Sequence, residues 1–180
     1  SSSSEFCPAY EILNEKAFVN GIVGLMATGG STNLVLHIPA MAKAAGINLA
    51  MEDFEDIAKL IPLMAKIYPN GLADVNHFHA AGGLSFMINE LLNEGLLHDD
   101  VKNVNGHGMS QYRNEARLID NEIRFPSGAV TSTNQKILRP LKNPFQITGG
   151  LKQVTGNLGS AITKVSAVEP DLRVIKAPVR

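Results

Sequence analysis

Thr28-Gly29-Gly30-Ser31-Thr32-Asn33 is the stretch of this sequence best suited to hold an anion. Two glycines let a backbone turn tightly and approach a ligand closely. Ser31, Thr32 and Asn33 then supply side-chain donors at a predicted helix start. The free N–H groups and the dipole of such a start favour a phosphate or a carboxylate. Gly30, Ser31, Thr32 and Asn33 are therefore candidate substrate-binding residues. The same pattern also reads as a plain junction between two helices, with an ordinary Ser or Thr N-cap.

The second cluster is Asn76-His77-Phe78-His79, followed by Ala80-Ala81-Gly82-Gly83. Histidines two positions apart do not share a helix face, whereas in a strand or loop they converge. A pair of imidazoles can donate to an anion or move a proton near neutral pH. As metal ligands they lack nearby cysteine or carboxylate partners, so no metal site is assigned to them. His77 and His79 join the candidates, beside the alternative of a loop with one buried, hydrogen-bonded histidine. His37 is expected to pack against a neighbouring element, and His98 and His107 to lie in solvated turns. The acids Glu52, Asp53, Glu55 and Asp56 read as the solvated first turn of a helix rather than as an acid–base pair. Cys7, the single cysteine, has no activating partner in the sequence and no partner for an intramolecular disulfide. That fits a reducing compartment such as the cytosol.

Four helices are needed to position these residues, and hydrophobic periodicity supplies them. The first runs over about Asn14–Ala27, with Phe18, Ile22, Leu25 and Met26 on one face and Gly29-Gly30 as its stop. The second begins at Ser31 or Thr32 and reaches Gly46, with Pro39 predicting a kink or break near His37. The third starts near Glu52-Asp53 and carries a stripe of Phe54, Ile57, Ala58 and Ile61, with Pro62 disturbing its middle. The fourth spans about Leu84–Asn93; Leu84, Met87, Ile88 and Leu91 share its face, and Gly95 ends it. After Leu97 the character changes. Val101–Val104, Ile123–Phe125 and Ile137–Leu138 are strand candidates, as are Leu151–Val154 and Ala161–Val168. A helical front and a β tail place a domain boundary near Asn143, and two or three tail strands cannot bury both faces of a sheet.

Composition excludes several function classes. With 180 residues, 44% hydrophobic and 18% charged, the chain can build a real core. A net charge of −1 provides no basic excess for a nucleic-acid backbone. No apolar run reaches the roughly 20 residues of a membrane helix; the longest, Ala17–Ala27, contains Asn20, Gly21 and Gly24. Ser1–Ser4 has none of the charged and apolar regions of a signal peptide and reads as a flexible end or a truncation scar.

Longer strings carry a resemblance. Asn14-Glu15-Lys16-Ala17-Phe18-Val19-Asn20-Gly21-Ile22-Val23-Gly24-Leu25, then Ala27 to Asn33 and Leu36-His37, is similar to the central region of the dihydroxy-acid/phosphogluconate dehydratase family. Tyr68 to Gly83 resembles the phosphogluconate branch in particular, as do Gly149-Gly150-Leu151-Lys152, Gly156-Asn157-Leu158-Gly159 and Lys164-Val165-Ser166-Ala167-Val168. The resemblance covers about Tyr10–Pro178 and weakens between Gly108 and Leu138. It implies a cytoplasmic hydro-lyase, a homodimer when full length, acting on a phosphorylated sugar acid such as 6-phospho-D-gluconate. It implies a 4Fe-4S cluster and allows a divalent cation. It further implies an α/β fold: residues 1–143 as the mostly helical C-terminal part of an α/β/α domain, and residues 144–180 as the first strands of a β-barrel domain. The family's cluster cysteines, its metal-binding acids and lysine, and its serine loop have no counterpart in this chain. An internal fragment without catalytic residues, inactive alone, is the resulting expectation. Two alternatives stand beside it: a dehydratase for another sugar acid or dihydroxy acid, and a non-catalytic helical scaffold or dimerisation module.

Overall fold

The computed structural model describes residues 6–174 and 176–178. Among the described residues six α-helices precede six strands: α1 (Ala9–Ile12), α2 (Glu15–Thr28), α3 (Leu34–Ala44), α4 (Met51–Leu60), α5 (Val75–Ala80) and α6 (Gly83–Asn93). The strands are β1 (Lys102–Asn103), β2 (Gly106–His107), β3 (Arg117–Ile119), β4 (Glu122–Arg124), β5 (Lys152–Gly156) and β6 (Gly159–Thr163). They pair consecutively and antiparallel into three two-stranded sheets, so among the described residues no barrel closes. The architecture is mixed helix and small sheets, broadly α/β.

The central helix is α2. The Asn14 side chain caps it by accepting from the Ala17 N–H at 3.0 Å, as an Asn N-cap does. Phe18, Ile22 and Met26 recur every fourth residue and are buried with Val23, Leu25 and Ala27. Helices α3 and α4 pack against α2, and Phe54 on α4 is fully buried in the same core. Burying one such aromatic side chain stabilises the fold by roughly 1.5–3 kcal/mol.

An extended stretch next to the core is tied in by its backbone rather than by a sheet. The N–H groups of Met64 and Ala65 donate to the Ala27 carbonyl at 2.7 and 3.2 Å. Leu63 and Ala65 form isolated antiparallel bridges with Gln146 and Leu138. The Gly149 N–H donates to the Ala58 carbonyl at 2.7 Å, and Leu151 is buried. Residues on both sides of Asn143 thus contribute to one core.

Several expectations are corrected. Helix α3 begins at Leu34, not at Ser31 or Thr32, and runs unbroken through Pro39 to Ala44. The proline deletes one N–H bond in a short helix whose Val35, Ile38 and Ala42 face the core, and that packing outweighs the loss. Pro62 does not disturb the middle of α4. The helix ends at Leu60, and Ile61 is already extended at φ −103, ψ 112, as a residue before proline prefers. On α6 the buried face contains Phe86, Met87 and Leu91, while Leu84 is exposed; burying the larger Phe86 ring rotates the helix away from the expected stripe. Ile137–Leu138 is no strand: both N–H groups turn back onto the Asn134 carbonyl. The last strand ends at Thr163, and Val165–Ala167 is a 3₁₀ turn. His37 is exposed rather than packed.

Candidate functional site

Helix α2 ends in a Schellman arrangement, with the Gly30 N–H on the Leu25 carbonyl at 3.1 Å and the Gly29 N–H on the Met26 carbonyl at 3.4 Å. Gly29 occupies the left-handed region at φ +58, which a glycine adopts without penalty. The Asn70 side chain, 6% exposed, closes over this turn. Its Nδ2 donates to the carbonyls of Thr28 at 3.3 Å and Gly29 at 3.0 Å. Its Oδ1 accepts from the Ser166 hydroxyl at 2.8 Å, and the same hydroxyl lies 3.0 Å from the Gly150 carbonyl. Gly150 passes so close behind the turn that a β-carbon on it would lie 2.4 Å from the Gly29 Cα. A cavity of about 330 Å³ opens beside the pair, lined in part by Lys66, Gln146, Glu169 and Arg173.

Ser31, Thr32 and Asn33 are exposed. The expectation of free N–H groups at a helix start is corrected here. The Leu34, Val35 and Leu36 N–H groups donate to the carbonyls of Ser31, Thr32 and Asn33 at 3.0–3.1 Å. The Asn33 N–H is taken by the Ser31 hydroxyl at 3.3 Å. Asn33 itself is the cap, in helical geometry at φ −59, ψ −27 and with no side-chain capping bond. What this stretch can offer an anion is two hydroxyls, one carboxamide and the N–H groups of Ser31 and Thr32, which have no backbone acceptor among the described residues.

His77 and His79 stand on α5, not in a strand or loop, and they do not converge. Asp74 caps α5 by accepting from the His77 N–H at 3.0 Å. The His77 Nδ1 lies 2.8 Å from the Asp74 Oδ1 and 3.3 Å from the Asp74 N. A protonated Nδ1 donates to the carboxylate; a bare Nδ1 accepts from the N–H of Asp74. In both arrangements Nε2 is left to meet a ligand. The His79 Nε2 instead meets Glu115 at 3.0 Å, and Glu115 also pairs with Arg117 at 3.0 Å. This pair sits beside a largely apolar cavity of about 320 Å³ walled by Phe78, Leu84, Ile88 and Tyr112. Among the described residues, no hydrogen bond or ion pair joins the histidines to Ser31–Asn33.

The hydrogen bond from the His77 N–H, aided by the His77 ring, holds the Asp74 carboxyl below its ordinary range. Its folded-state value is depressed, so its contribution to α5 is present above the unfolded carboxylate range and fades as pH falls through the folded value. An NMR titration of the Asp74 side chain should give a midpoint below that of an Asp in an unfolded peptide. Asp74→Asn, which still caps, should remove this titration while keeping α5 formed; a midpoint at or above the peptide value would contradict the assignment.

Cys7 has a cationic neighbour that the sequence does not reveal: Lys102, which also pairs with Glu11. Among the described residues no three His, Cys, Asp or Glu side chains gather as a metal site. An iron–sulfur cluster is held by several thiolates, and this chain has one, so the residues present do not fit such a group. Sequence reasoning also passed over Asn70, Gly150 and Ser166 as site residues. A turn-forming Tyr68-Pro69-Asn70-Gly71 was the single available sign, and nothing in it points to Ser166, 96 positions away.

Comparison with known proteins adds a separate line of evidence. Residues 3–112 match the family described as dihydroxy-acid/6-phosphogluconate dehydratase N-terminal. The chain is 51% identical over 178 residues to a phosphogluconate dehydratase of Rhizobium meliloti, covering 98% of this chain and 29% of that protein. It is 49% identical over 178 residues to the phosphogluconate dehydratase of Pseudomonas aeruginosa, covering 99% of this chain and 29% of that protein. A dihydroxy-acid dehydratase of Caldanaerobacter subterraneus is 34% identical over 172 residues, covering 94% of this chain and 28% of that protein. The chain thus spans under a third of the length of the curated relatives it matches.

Proposed function

This chain belongs to the dihydroxy-acid/6-phosphogluconate dehydratase family, and from that premise we propose that it is part of a hydro-lyase converting 6-phospho-D-gluconate to 2-keto-3-deoxy-6-phosphogluconate. The observation that carries this reading is the gap in identity. Phosphogluconate dehydratases match at 51% and 49%, against 34% for a dihydroxy-acid dehydratase. The reaction removes the proton next to a carboxylate and the hydroxyl of the neighbouring carbon, and the enol product tautomerises to a keto acid. The same reading assigns the enzyme to the Entner–Doudoroff sequence and takes it as a cytoplasmic homodimer when full length. In the same reading, residues 1–143 belong to an α/β/α domain and residues 144–180 open a β-barrel domain. Cluster and cation ligands belong, in this reading, to other parts of the full-length enzyme.

The part left to this chain is recognition. The hydroxyls of Ser31 and Thr32 and the carboxamide of Asn33 can donate to an anionic oxygen, on a turn that Gly29 and Gly30 bend into place. His77 can donate from Nε2 with Nδ1 held at Asp74, and His79 stands two residues further along the same helix, its Nε2 paired with Glu115.

A segment exchange tests the reading. The present chain replaces the matching part of the Rhizobium meliloti enzyme, and keto-acid formation is followed with 6-phosphogluconate and with a branched-chain dihydroxy acid. Turnover of the phosphorylated substrate is expected. Turnover of the dihydroxy acid alone would overturn the proposal. Within that hybrid, His77→Gln and Ser31→Ala should each lower kcat/KM for 6-phosphogluconate roughly 10- to 150-fold, the effect of losing about 1.5–3 kcal/mol of charge-assisted hydrogen bonding. A phosphate contact predicts much smaller losses with unphosphorylated gluconate. Equal losses on both substrates would move the contact to the carboxylate, and unchanged kinetics would remove these residues from recognition.

A further inference from the structure

We propose that Asn70 and Ser166 are positioning residues that act as a two-part clamp on the Gly29–Gly30 turn and so set the geometry of Ser31–Asn33. The role at the substrate rests on the functional reading above; the clamp itself rests on the hydrogen bonds. The Thr28 and Gly29 carbonyls are the outermost acceptors at the end of α2, and both are taken by one buried carboxamide. Two carbonyl acceptors require the NH₂ group of Asn70 to face them, which fixes the amide orientation. Its Oδ1 then needs a donor, and the Ser166 hydroxyl is placed to supply it at 2.8 Å.

Ser166 is in turn held to the segment behind the turn, at Gly150. Its N–H donates to the Gly150 carbonyl at 3.2 Å, and the Gly150 N–H donates to the Met26 carbonyl at 3.1 Å. The bonds therefore run from α2 through Gly150 to Ser166, on to Asn70, and back to Thr28 and Gly29. Each member is distant in sequence from the next, and the turn is gripped from two sides. A β-carbon on Gly29 would meet the Asn70 Nδ2 at 2.5 Å, so the amide leaves no slack against the backbone it binds. A turn held this way presents the three residues that follow in one arrangement, which is what a recognition loop needs to avoid ordering costs when its ligand arrives. Asn70 and Ser166 do not touch substrate in this scheme. They act through Gly29.

The clamp is tested first in the 180-residue chain by hydrogen exchange on wild type, Ser166→Ala and Ser166→Thr. Loss of the hydroxyl should speed exchange at the Gly29 and Gly30 amides roughly 5- to 10-fold, and Ser166→Thr, which keeps the hydroxyl, should restore protection. Amides of α6 serve as the internal reference and should not change. The second arm uses the hybrid enzyme described above: Ser166→Ala should raise KM for 6-phosphogluconate by a similar factor and leave the pH profile of kcat in place, again with rescue by threonine. Unchanged exchange at the turn, or equal loss of protection throughout α6, would overturn the clamp. Faster exchange with KM unaltered would overturn its role in recognition. A hybrid that does not turn over 6-phosphogluconate even with Ser166 intact would count against the functional reading, while the exchange arm still decides the clamp.

Discussion

Phe54→Ala should lower the unfolding free energy of this chain by about 3–5 kcal/mol. The ring is fully buried on α4, and the same core gathers side chains from α2, from α6 and from Leu151 beyond the expected boundary. Surroundings built from several elements relax only partly into the space, so a cavity cost adds to the lost burial. Leu84→Ala on the exposed side of α6 is the contrast, with an expected change within about 0.5 kcal/mol. Urea unfolding of both variants measures this through the midpoint at constant slope. A loss below about 1 kcal/mol for Phe54→Ala would mean that the core is not shared as described.

Gly150→Ala is expected to destabilise the chain by about 1–3 kcal/mol although it adds one methyl group. Its β-carbon would stand 2.4 Å from the Gly29 Cα and 3.2 Å from the Gly29 N, both backbone atoms. Neither can rotate away as a side chain would, and Gly29 is held by Asn70 on its other side. Relief requires the Gly149–Gly150 segment and the end of α2 to separate, which breaks the Gly150–Met26 bond; overpacking of this kind costs about 1–3 kcal/mol. Gly21→Ala controls for the loss of a glycine. That position is mid-helix in α2 with nothing within 4 Å of a new β-carbon, and alanine should stabilise it by roughly 0.5–1 kcal/mol. Paired thermal unfolding shows both signs; a neutral Gly150→Ala would dissolve the close approach on which the clamp depends.

Much of the helical front was legible because its signals are local. The period of Phe18, Ile22 and Met26 and the Gly29 stop each act within a few residues, and α2 follows them closely, although the Asn14 cap that starts it one residue later than expected was not read from the sequence. The hairpin of β5 and β6 was legible for the same reason, with Asn157-Leu158 turning between two short runs. The errors arise where tertiary contacts outweigh local ones. Pro39 stays inside α3 because the helix has a core to face. Leu84 yields to Phe86 because packing, not period alone, chooses the buried face. The short helix α5 was missed because six residues give hardly two turns of periodicity, and its identity lies in the Asp74–His77 capping contacts. Of the site, the sequence pointed to the glycines and histidines by their chemistry. It could not show that Asn70 and Ser166 meet over Gly29, since a hydrogen bond between distant positions leaves no periodic trace.

The bridges that tie Leu63 to Gln146 and Ala65 to Leu138 also set an order of events during synthesis. The stretch Ile61–Ala65 is apolar and almost wholly buried in the finished fold; Met64 and Ala65 reach back to Ala27, yet the bridge partners of Leu63 and Ala65 lie more than 70 positions downstream. A chain leaving the ribosome therefore carries one side of that stretch without its bridge partners until residues near 150 emerge. Loop closure over such a span is paid for before the contacts that reward it form, and an exposed apolar strand of this kind is where a nascent chain sticks to its neighbours or to a chaperone. Ribosome-arrested chains of increasing length should remain protease-sensitive at Lys59 and Lys66 until Leu151 clears the exit tunnel, and become protected together once it does. Early protection, at lengths that end before Leu138, would show that α2 and α4 can cover this stretch without the distant strand.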